Sequence, residues 1–222
     1  MANELEGLSE TVKWRLMVEA AKRGAIAAGY TLDRMPGRGL SNVWMITKGG
    51  TSQKASIRTT RDRWIAFPPL EKGKKWKTLD QVDLVIVATV NDRDDPRNVE
   101  VYIFPQAEVR KRFDASYAAR VAAGQRTGDN FGMWVARDQR GRNSPADVGS
   151  GIVDQYKPVA VIPIADLLTD VQAGVVSNDE VGDDRPADEI ENDPPLTIPE
   201  AKRRLALTLG CNPENIKIIV EA

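Results

Sequence analysis

The sequence predicts a soluble α/β protein with a strand-rich centre at roughly residues 41–104. The first observation is a continuous apolar run at residues 82–90, whose length and β-branched side chains suit a central strand covered on both faces. The second is a pair of helical patterns that flank this centre, at residues 9–28 and directly after Pro105. Together they predict a central mixed sheet flanked by helices.

The two helices are predicted from the spacing of their apolar residues. Ser9 is a suitable N-cap for the first helix and Gly29 a suitable stop, whereas Gly24 lowers the helix propensity near its end. Apolar side chains recur along this helix at Val12, Leu16, Ala20 and Ala27. In the second helix they form the stripe Val109, Phe113, Tyr117 and Val121.

Shorter segments have the composition and turn signals of strands. Gly49-Gly50 and Pro68-Pro69 mark turns between them. The predicted short strands are residues 42–47, 54–60, 63–67 and 99–104. From their composition, residues 30–40 are predicted to form a loop or a short strand and residues 124–155 mainly a loop. A strand is predicted at 159–164 and a short helix at 164–171.

Composition divides the chain into a main α/β domain at residues 1–176, an acidic linker at 177–195 and a small unit at 196–222. Thr197 and Glu200 form a capping-box pair that predicts a helix, and an apolar run predicts a strand after it. One helix and one strand cannot bury an independent core. The small unit is therefore expected to dock on the main domain, to pair with a second copy or to bind a protein partner.

The chain contains no histidine and a single cysteine, Cys211. Ser-His-Asp triads, Cys-His dyads and the usual Cys/His zinc sites are therefore excluded, as is a disulfide within the chain. Cys211 is interpreted as a small structural thiol. The sequence has no apolar run of membrane-spanning length and an acidic N-terminal segment, so we expect a cytoplasmic protein with no membrane partner.

Charge is strongly segregated although the net charge is only −1. Between Lys48 and Lys77 there are nine basic residues and two acidic ones, whereas residues 179–193 contain eight acids and one arginine. A basic segment of this kind is typical of a surface that faces a polyanion. DNA or RNA is therefore the expected partner of the strand-rich centre.

The order of elements over about residues 10–118 resembles the restriction-endonuclease-like, or PD-(D/E)xK, superfamily. The matching stretches are LMVEAAKRG, SNVWMITKGG, ASIRTTRDRWIAF, LDQVDLVIVATV and VEVYIFPQAEV. The resemblance implies a restriction-endonuclease-like central mixed sheet flanked by helices. In that family two acids on neighbouring strands bind a divalent metal, and a lysine two residues after the second acid assists.

Carried over to this chain, the first acid falls at Asn42, the second at Ser56 and the lysine at Arg58, while a helical glutamate falls at Glu19. Neutral side chains at the two acid positions do not supply the anionic oxygens that hold magnesium. Arginine stays protonated and suits phosphate binding rather than proton exchange. The resemblance thus implies a pseudoenzyme that binds nucleic acid, has a degenerate site and needs no cofactor.

Two alternatives remain open at the level of sequence. In the first, the chain is a Mg²⁺-dependent nuclease whose ligands have moved, with Glu19, Asp33 or Asp83 supplying acids and Lys54 the lysine. In the second, the protein is an adaptor that acts through residues 196–222. Whether the chain is an enzyme is therefore uncertain from its sequence.

The predicted nucleic-acid surface combines phosphate-binding cations with an aromatic side chain that can stack on bases. Trp64 is expected in the core and Trp76, between lysines, is the stacking candidate. The full predicted set is Lys54, Arg58, Arg61, Arg63, Lys74, Lys75, Trp76 and Lys77. A second basic group lies on or beyond the second helix and is interpreted as solvated surface: Arg110, Lys111, Arg112, Arg120 and Arg126.

Overall fold

The centre of the protein is a six-stranded mixed sheet, seen in a computed structural model that describes residues 5–35, 42–141 and 143–172 together with residues 202, 216 and 217. The helices are α1 (Glu10–Ala27), α2 (Gln106–Ala122) and α3 (Ile164–Gln172). The strands are β1 (Thr31–Arg34), β2 (Val43–Lys48), β3 (Thr51–Thr60), β4 (Trp64–Ala66), β5 (Pro69–Leu70), β6 (Lys75–Trp76), β7 (Leu84–Val90), β8 (Asn98–Pro105), β9 (Trp134–Ala136) and β10 (Ala160–Pro163).

The strand order in the main sheet is β1-β2-β3-β7-β8-β10. All neighbouring strands are antiparallel except β3 and β7, which pair in parallel with Ala55 opposite Leu84 and Thr60 opposite Thr89. Every residue of β7 after Leu84 is buried. The prediction of a central strand covered on both faces is confirmed, as is the α/β class with a mixed sheet flanked by helices.

Alternation along the central strands creates two separate cores. Ala55, Ile57, Ile86 and Ala88 pack with α1 and α3 on one side, here called the first face. Their neighbours in sequence point to the opposite side, the second face, where Val85 and Val87 pack with α2 and with the segments between β3 and β7. Each side chain of a central strand therefore belongs to one core only.

Helix α1 is confirmed with the predicted cap and stop. The Ser9 hydroxyl accepts a hydrogen bond from the Val12 amide at 3.3 Å, and the chain turns at Gly29 with φ +88°. Gly24 lies inside the helix because the helix touches the sheet there. A Cβ on Gly24 would lie 2.5 Å from Cγ1 of Val101, a residue of β8.

The segment predicted as a third short strand, residues 63–67, forms β4, but β4 does not join the main sheet. It pairs with β9, which lies in the segment predicted mainly as loop. The first predicted strand region, residues 30–40, contains β1, while β10 and α3 confirm the predicted strand and helix after residue 159. A strand of three residues gives almost no periodic signal, so β9 was not predictable from spacing.

Helix α2 confirms the predicted helix but only part of its stripe. Val109 and Phe113 are buried, whereas Val121, in the last turn, is 51% exposed. Arg112 and Arg120 were expected on a solvated face. Instead Arg112 donates to the carbonyls of Gly149 and Ser150 at 3.0 and 2.8 Å, and Arg120 is half-buried.

The chain divides into two compact units, residues 1–184 and 185–222. All the helices and strands above belong to the first. The predicted linker and most of the predicted C-terminal helix and strand lie outside the described residues. Among the described helices, none has the length and apolar composition needed to cross a membrane.

We expect Gly24→Ala to destabilise the protein, although alanine favours helix by about 1 kcal/mol. The added methyl group collides with the short, stiff side chain of Val101, and overpacking of this kind costs about 1–3 kcal/mol. Chemical denaturation measures the change. Combining Gly24→Ala with Val101→Ala restores room, so the double variant is expected to lose less than the sum of the two single losses. A more stable Gly24→Ala single variant would contradict the close contact.

Candidate functional site

The four family-derived positions do not come together. Glu19 lies on α1, which covers the first face, and its carboxylate accepts a hydrogen bond from Nε of Arg23 at 2.8 Å. Arg23 also donates to Asp170 of α3 at 2.6 Å. Glu19 is therefore part of an ion-pair network that joins two helices on one side of the sheet.

Ser56 and Arg58 point to the second face, so the sheet separates them from Glu19. Ser56 is fully buried between Val43 and Val85, and its hydroxyl has no hydrogen-bond partner among the described residues. The guanidinium of Arg58 lies 4.5 Å from the ring centre of Phe67. Asn42 precedes β2, and its carbonyl accepts from the Ile57 amide at 2.8 Å. These positions form strand contacts and core rather than an open site.

The alternative acids do not assemble a metal site either. The carboxylate of Asp83 accepts from the Lys54 amide at 2.8 Å, and the Asp83 amide donates to the Lys54 carbonyl at 2.8 Å. These two hydrogen bonds connect the two segments directly before the first pair of the parallel β3–β7 ladder, so the Asp83 carboxylate already has a backbone donor. Within residues 5–35, 42–141 and 143–172, no group of three or more acids, cysteines or histidines is placed to hold a metal ion.

The predicted basic surface is divided between two ends of the sheet. Lys54 is exposed near the start of β3, whereas Arg61 and Arg63 follow its end. A strand rises by about 3.3 Å per residue, so Lys54 and Arg61 lie roughly 23 Å apart along the chain. The segment that runs from Glu71 to Thr78, the lysine loop, leads to Asp83 and so lies at the Lys54 end.

Two of the predicted phosphate-binding arginines are engaged with acids. Arg61 forms an ion pair with Glu10 of α1. Arg63 donates through Nε and Nη2 to the two carboxylate oxygens of Asp138, each at 2.7 Å, and through Nη1 to the Asn91 carbonyl. The Arg63 guanidinium is therefore engaged by acceptors within the chain and joins the segment after β3 to Asp138 and Asn91.

Trp76 is not the exposed stacking residue that the sequence suggested. It is 1% exposed, its indole N–H donates to Asp114 at 2.8 Å, and its ring meets that of Phe113 edge-on at 5.1 Å. A tryptophan between lysines is buried here because β6 turns it under α2. Lys75 pairs with Glu71 at 2.6 Å, while Lys74 remains exposed and Lys77 is half-buried.

The structure reveals a surface that the sequence did not predict. Residues 63–72 and 129–137 run antiparallel across the second face, and we call this pair of segments the ribbon. Strands β4 and β9 form its regular part, next to the end at Arg63 and Arg137. Backbone bonds extend it, from Arg137 to Arg63 at 3.0 Å and from Phe67 to Met133 at 3.2 Å, and the Asp129 carboxylate accepts from the Glu71 and Lys72 amides.

The two faces of the ribbon differ in character. Ile65, Phe67, Met133 and Val135 alternate onto the inner face and are buried in the second core. Trp64 and Trp134 alternate onto the outer face, where Trp134 is 40% exposed and Trp64 is half-buried. The expectation that Trp64 belongs to the core is thus met only in part, since a guanidinium rather than apolar side chains lies over its ring.

Cations lie along the ribbon and at both of its ends. The exposed Arg140 places its guanidinium 5.3 Å from the ring centre of Trp64. Arg120 donates to the Trp134 carbonyl at 3.2 Å, and burial lowers the pKa of Arg120. At the other end of the ribbon, the side chains of Lys72 and Lys74 are exposed, and Arg126 lies 5.5 Å from the ring centre of Phe131.

A buried ionic network holds the ribbon to the main sheet. Arg137, with a side chain only 3% exposed, pairs with Glu100 of β8 at 2.6 Å, and the hydroxyl of Tyr102 donates to the same carboxylate at 3.1 Å. Burial raises the pKa of Tyr102 to about 12. Burial alone would raise the pKa of Asp138, but Arg63 and Arg137 outweigh it and hold that pKa below its ordinary value.

Four residues of this surface were not predicted from the sequence: Trp134, Arg137, Asp138 and Arg140. A weak signal was present, because Met133, Val135 and Arg137 alternate with Trp134 and Ala136. That alternation is only five residues long and includes an arginine, so it does not identify a strand by spacing alone. Comparisons with models of protein families, with curated proteins and with solved structures found no match to this chain.

We expect Asp138→Asn to lower the free energy of unfolding at pH 7 by about 2 kcal/mol, because two guanidiniums lose a charged acceptor. The lowered pKa of Asp138 means that its stabilisation is present above the ordinary aspartate pKa of about 3.9 and is lost as pH falls through the lower folded value. The difference in free energy of unfolding between Asp138→Asn and the wild type is therefore expected to become smaller in acid.

Urea unfolding at pH 7, 5 and 3 measures this gap. Asp94→Asn, in an exposed turn, serves as a control with the same chemical change. A gap that stays constant across this range would show that the charge of Asp138 is not the stabilising feature.

Proposed function

We propose that this protein binds nucleic acid through the ribbon that covers the second face of its sheet and does not cleave it. The observation that carries the proposal is the ribbon, because exposed cations lie at both of its ends: Arg140 at one end, and Lys72 and Lys74 at the other. In this interpretation the core is restriction-endonuclease-like and degenerate, and the ribbon rather than the family-derived site contacts the polyanion.

The charges at the ends of the ribbon support a polyanionic partner. In the part of the chain that the structure describes, Lys72, Lys74 and Arg140 form no ion pair with an acid. Unpaired surface cations are favourable contacts for phosphates because binding releases the counterions of the nucleic acid. The overall charge of −1 makes this local concentration, rather than a general positive field, the basis of binding.

The proposed lack of cleavage is supported by the residues at the family-derived positions. Asn42 and Ser56 carry no charge, and Ser56 is completely buried. Placing an ionised carboxylate at such a position carries a large desolvation cost. The guanidinium of Arg58 lies over the ring of Phe67, so a permanently charged arginine occupies the position of the family's lysine beneath the ribbon.

Affinity for labelled DNA and RNA is expected to fall steeply between about 50 and 200 mM salt. The double variant Lys72→Gln/Lys74→Gln is expected to bind more weakly and to reduce the slope of log K against log salt by about 1–2, because each lost phosphate contact removes nearly one released counterion. Fluorescence anisotropy measures both quantities. Lys13→Gln/Lys22→Gln is the charge-matched control, since both lysines lie on α1 at the first face.

No binding at 50 mM salt would refute the proposed function. Equal losses of affinity in the two double variants would refute the ribbon as the binding surface.

Labelled single-stranded and duplex DNA, incubated with the protein and Mg²⁺ or Mn²⁺, is expected to remain intact. Gel electrophoresis measures the outcome. Cleavage that disappears in Glu19→Ala and in Lys54→Ala, but persists in Lys13→Ala, would establish the alternative of a nuclease with relocated ligands and overturn the non-cleaving interpretation.

A further inference from the structure

The outer face of the ribbon contains two tryptophans, Trp64 and Trp134, that are not part of the buried core beneath the ribbon. The inner face is closed by neighbours of the same strands, with Met133 2% and Val135 3% exposed, while Trp134 between them is 40% exposed. Two aromatic side chains on one face, with an exposed arginine beside them, form a surface suited to a binding contact. A suitable ligand presents flat apolar faces and negative charge together.

We infer that the outer face of the ribbon is a binding site for single-stranded nucleic acid, whose bases stack on Trp134 and on the Arg140 guanidinium that lies over Trp64, and whose phosphates contact Lys72. This inference rests on the proposed function and names its substrate class. Base–aromatic stacking tolerates any sequence because every base has a π-face. Arginine contributes both a planar surface for stacking and a bidentate phosphate contact.

The support of the Trp134 ring defines its position. Gly132 precedes β9 by two residues, and a Cβ placed there would lie 2.0 Å from Cη2 of Trp134. The indole therefore lies directly over the glycine rather than projecting freely. A ring held in place in this way loses little conformational entropy when a base stacks on it.

The second tryptophan lies across the ribbon from the first. Trp64 is opposite Ala136 and Ala66 is opposite Trp134, so the two tryptophans occupy diagonal positions on one face. Such positions are roughly 7–8 Å apart in an antiparallel pair. Arg140 lies over Trp64, so a base at that end meets the indole edge and the exposed guanidinium plane.

This spacing favours single strands over duplexes. Successive bases in B-DNA are about 3.4 Å apart and cover each other's faces. Two tryptophans whose backbone positions are more than twice that far apart match bases that are unstacked and splayed apart, as in single-stranded recognition. An acidic peptide matches the cations but offers no base faces, so it would not depend on Trp134.

The test compares a labelled oligothymidylate with a duplex of equal length, using the full chain and anisotropy at 50, 100 and 200 mM salt. Trp134→Ala is expected to weaken single-strand binding by about tenfold or more, with little change for the duplex. Trp134→Phe is expected to retain most of the affinity. Oligothymidylate is also expected to quench the tryptophan fluorescence of the wild type.

Two further variants address folding and position. Gly132→Ala displaces the indole without removing it and is expected to weaken single-strand binding in the same direction as Trp134→Ala. Val161→Ala removes an exposed apolar side chain from β10, at an edge of the main sheet, and is expected to bind as the wild type does. Thermal melting of each variant shows whether a loss of affinity comes from unfolding. If Trp134→Ala or Gly132→Ala is unfolded, the affinity of Trp134→Phe and the fluorescence quenching of the wild type test the stacking site instead.

The outcomes separate this inference from the proposed function. Salt-dependent binding that is unchanged in Trp134→Ala, or equal loss for single strand and duplex, overturns the stacking site and leaves the proposed function standing. Absence of any nucleic-acid binding overturns both. Displacement of the oligonucleotide by poly-glutamate at equal charge concentration also overturns the stacking site, because it shows that charge alone is recognised.

Discussion

The parallel pairing of β3 with β7 is the constraint on which the rest of the structure depends. Two adjacent parallel strands require a connection that returns the chain along the whole length of the sheet, and in most proteins that connection is a helix. Here residues 61–83 provide it without an α-helix. The returning chain becomes one edge of the ribbon, so the same segment closes the second core and forms the candidate interface.

The crossover contains little regular structure, and ion pairs at its start and across the ribbon connect it to the rest of the domain. Arg137 and Glu100 join the ribbon to β8, while Arg63 and Asp138 join its two segments to each other. Buried ion pairs add little net stability compared with apolar contacts, but removing one partner leaves a charge uncompensated. Such a network specifies one position of the ribbon, and that precision benefits a surface whose two aromatic rings need a defined spacing.

Much of the fold could be predicted from periodicity and turn signals. Helix α1 with its Ser9 cap, the central strand β7 and the hairpin to β8 all followed from local patterns. The failures involve contacts between distant segments. Trp76 sits among lysines in the sequence yet lies under Phe113, and Trp64 depends on β9, far along the chain. Whether an aromatic residue is core or surface is decided by such partners, and a local pattern does not contain them.

The ribbon also determines the order in which the protein can mature. Its first segment leaves the ribosome well before its second, because β7, β8 and α2 are synthesised between β4 and β9. Until residues 129–137 emerge, Ile65 and Phe67 lack their partner segment and rely on incomplete packing. The proposed interface therefore cannot exist on a partly synthesised chain. If the ribbon is the binding surface, that surface is complete only after β7, β8 and α2 have been synthesised.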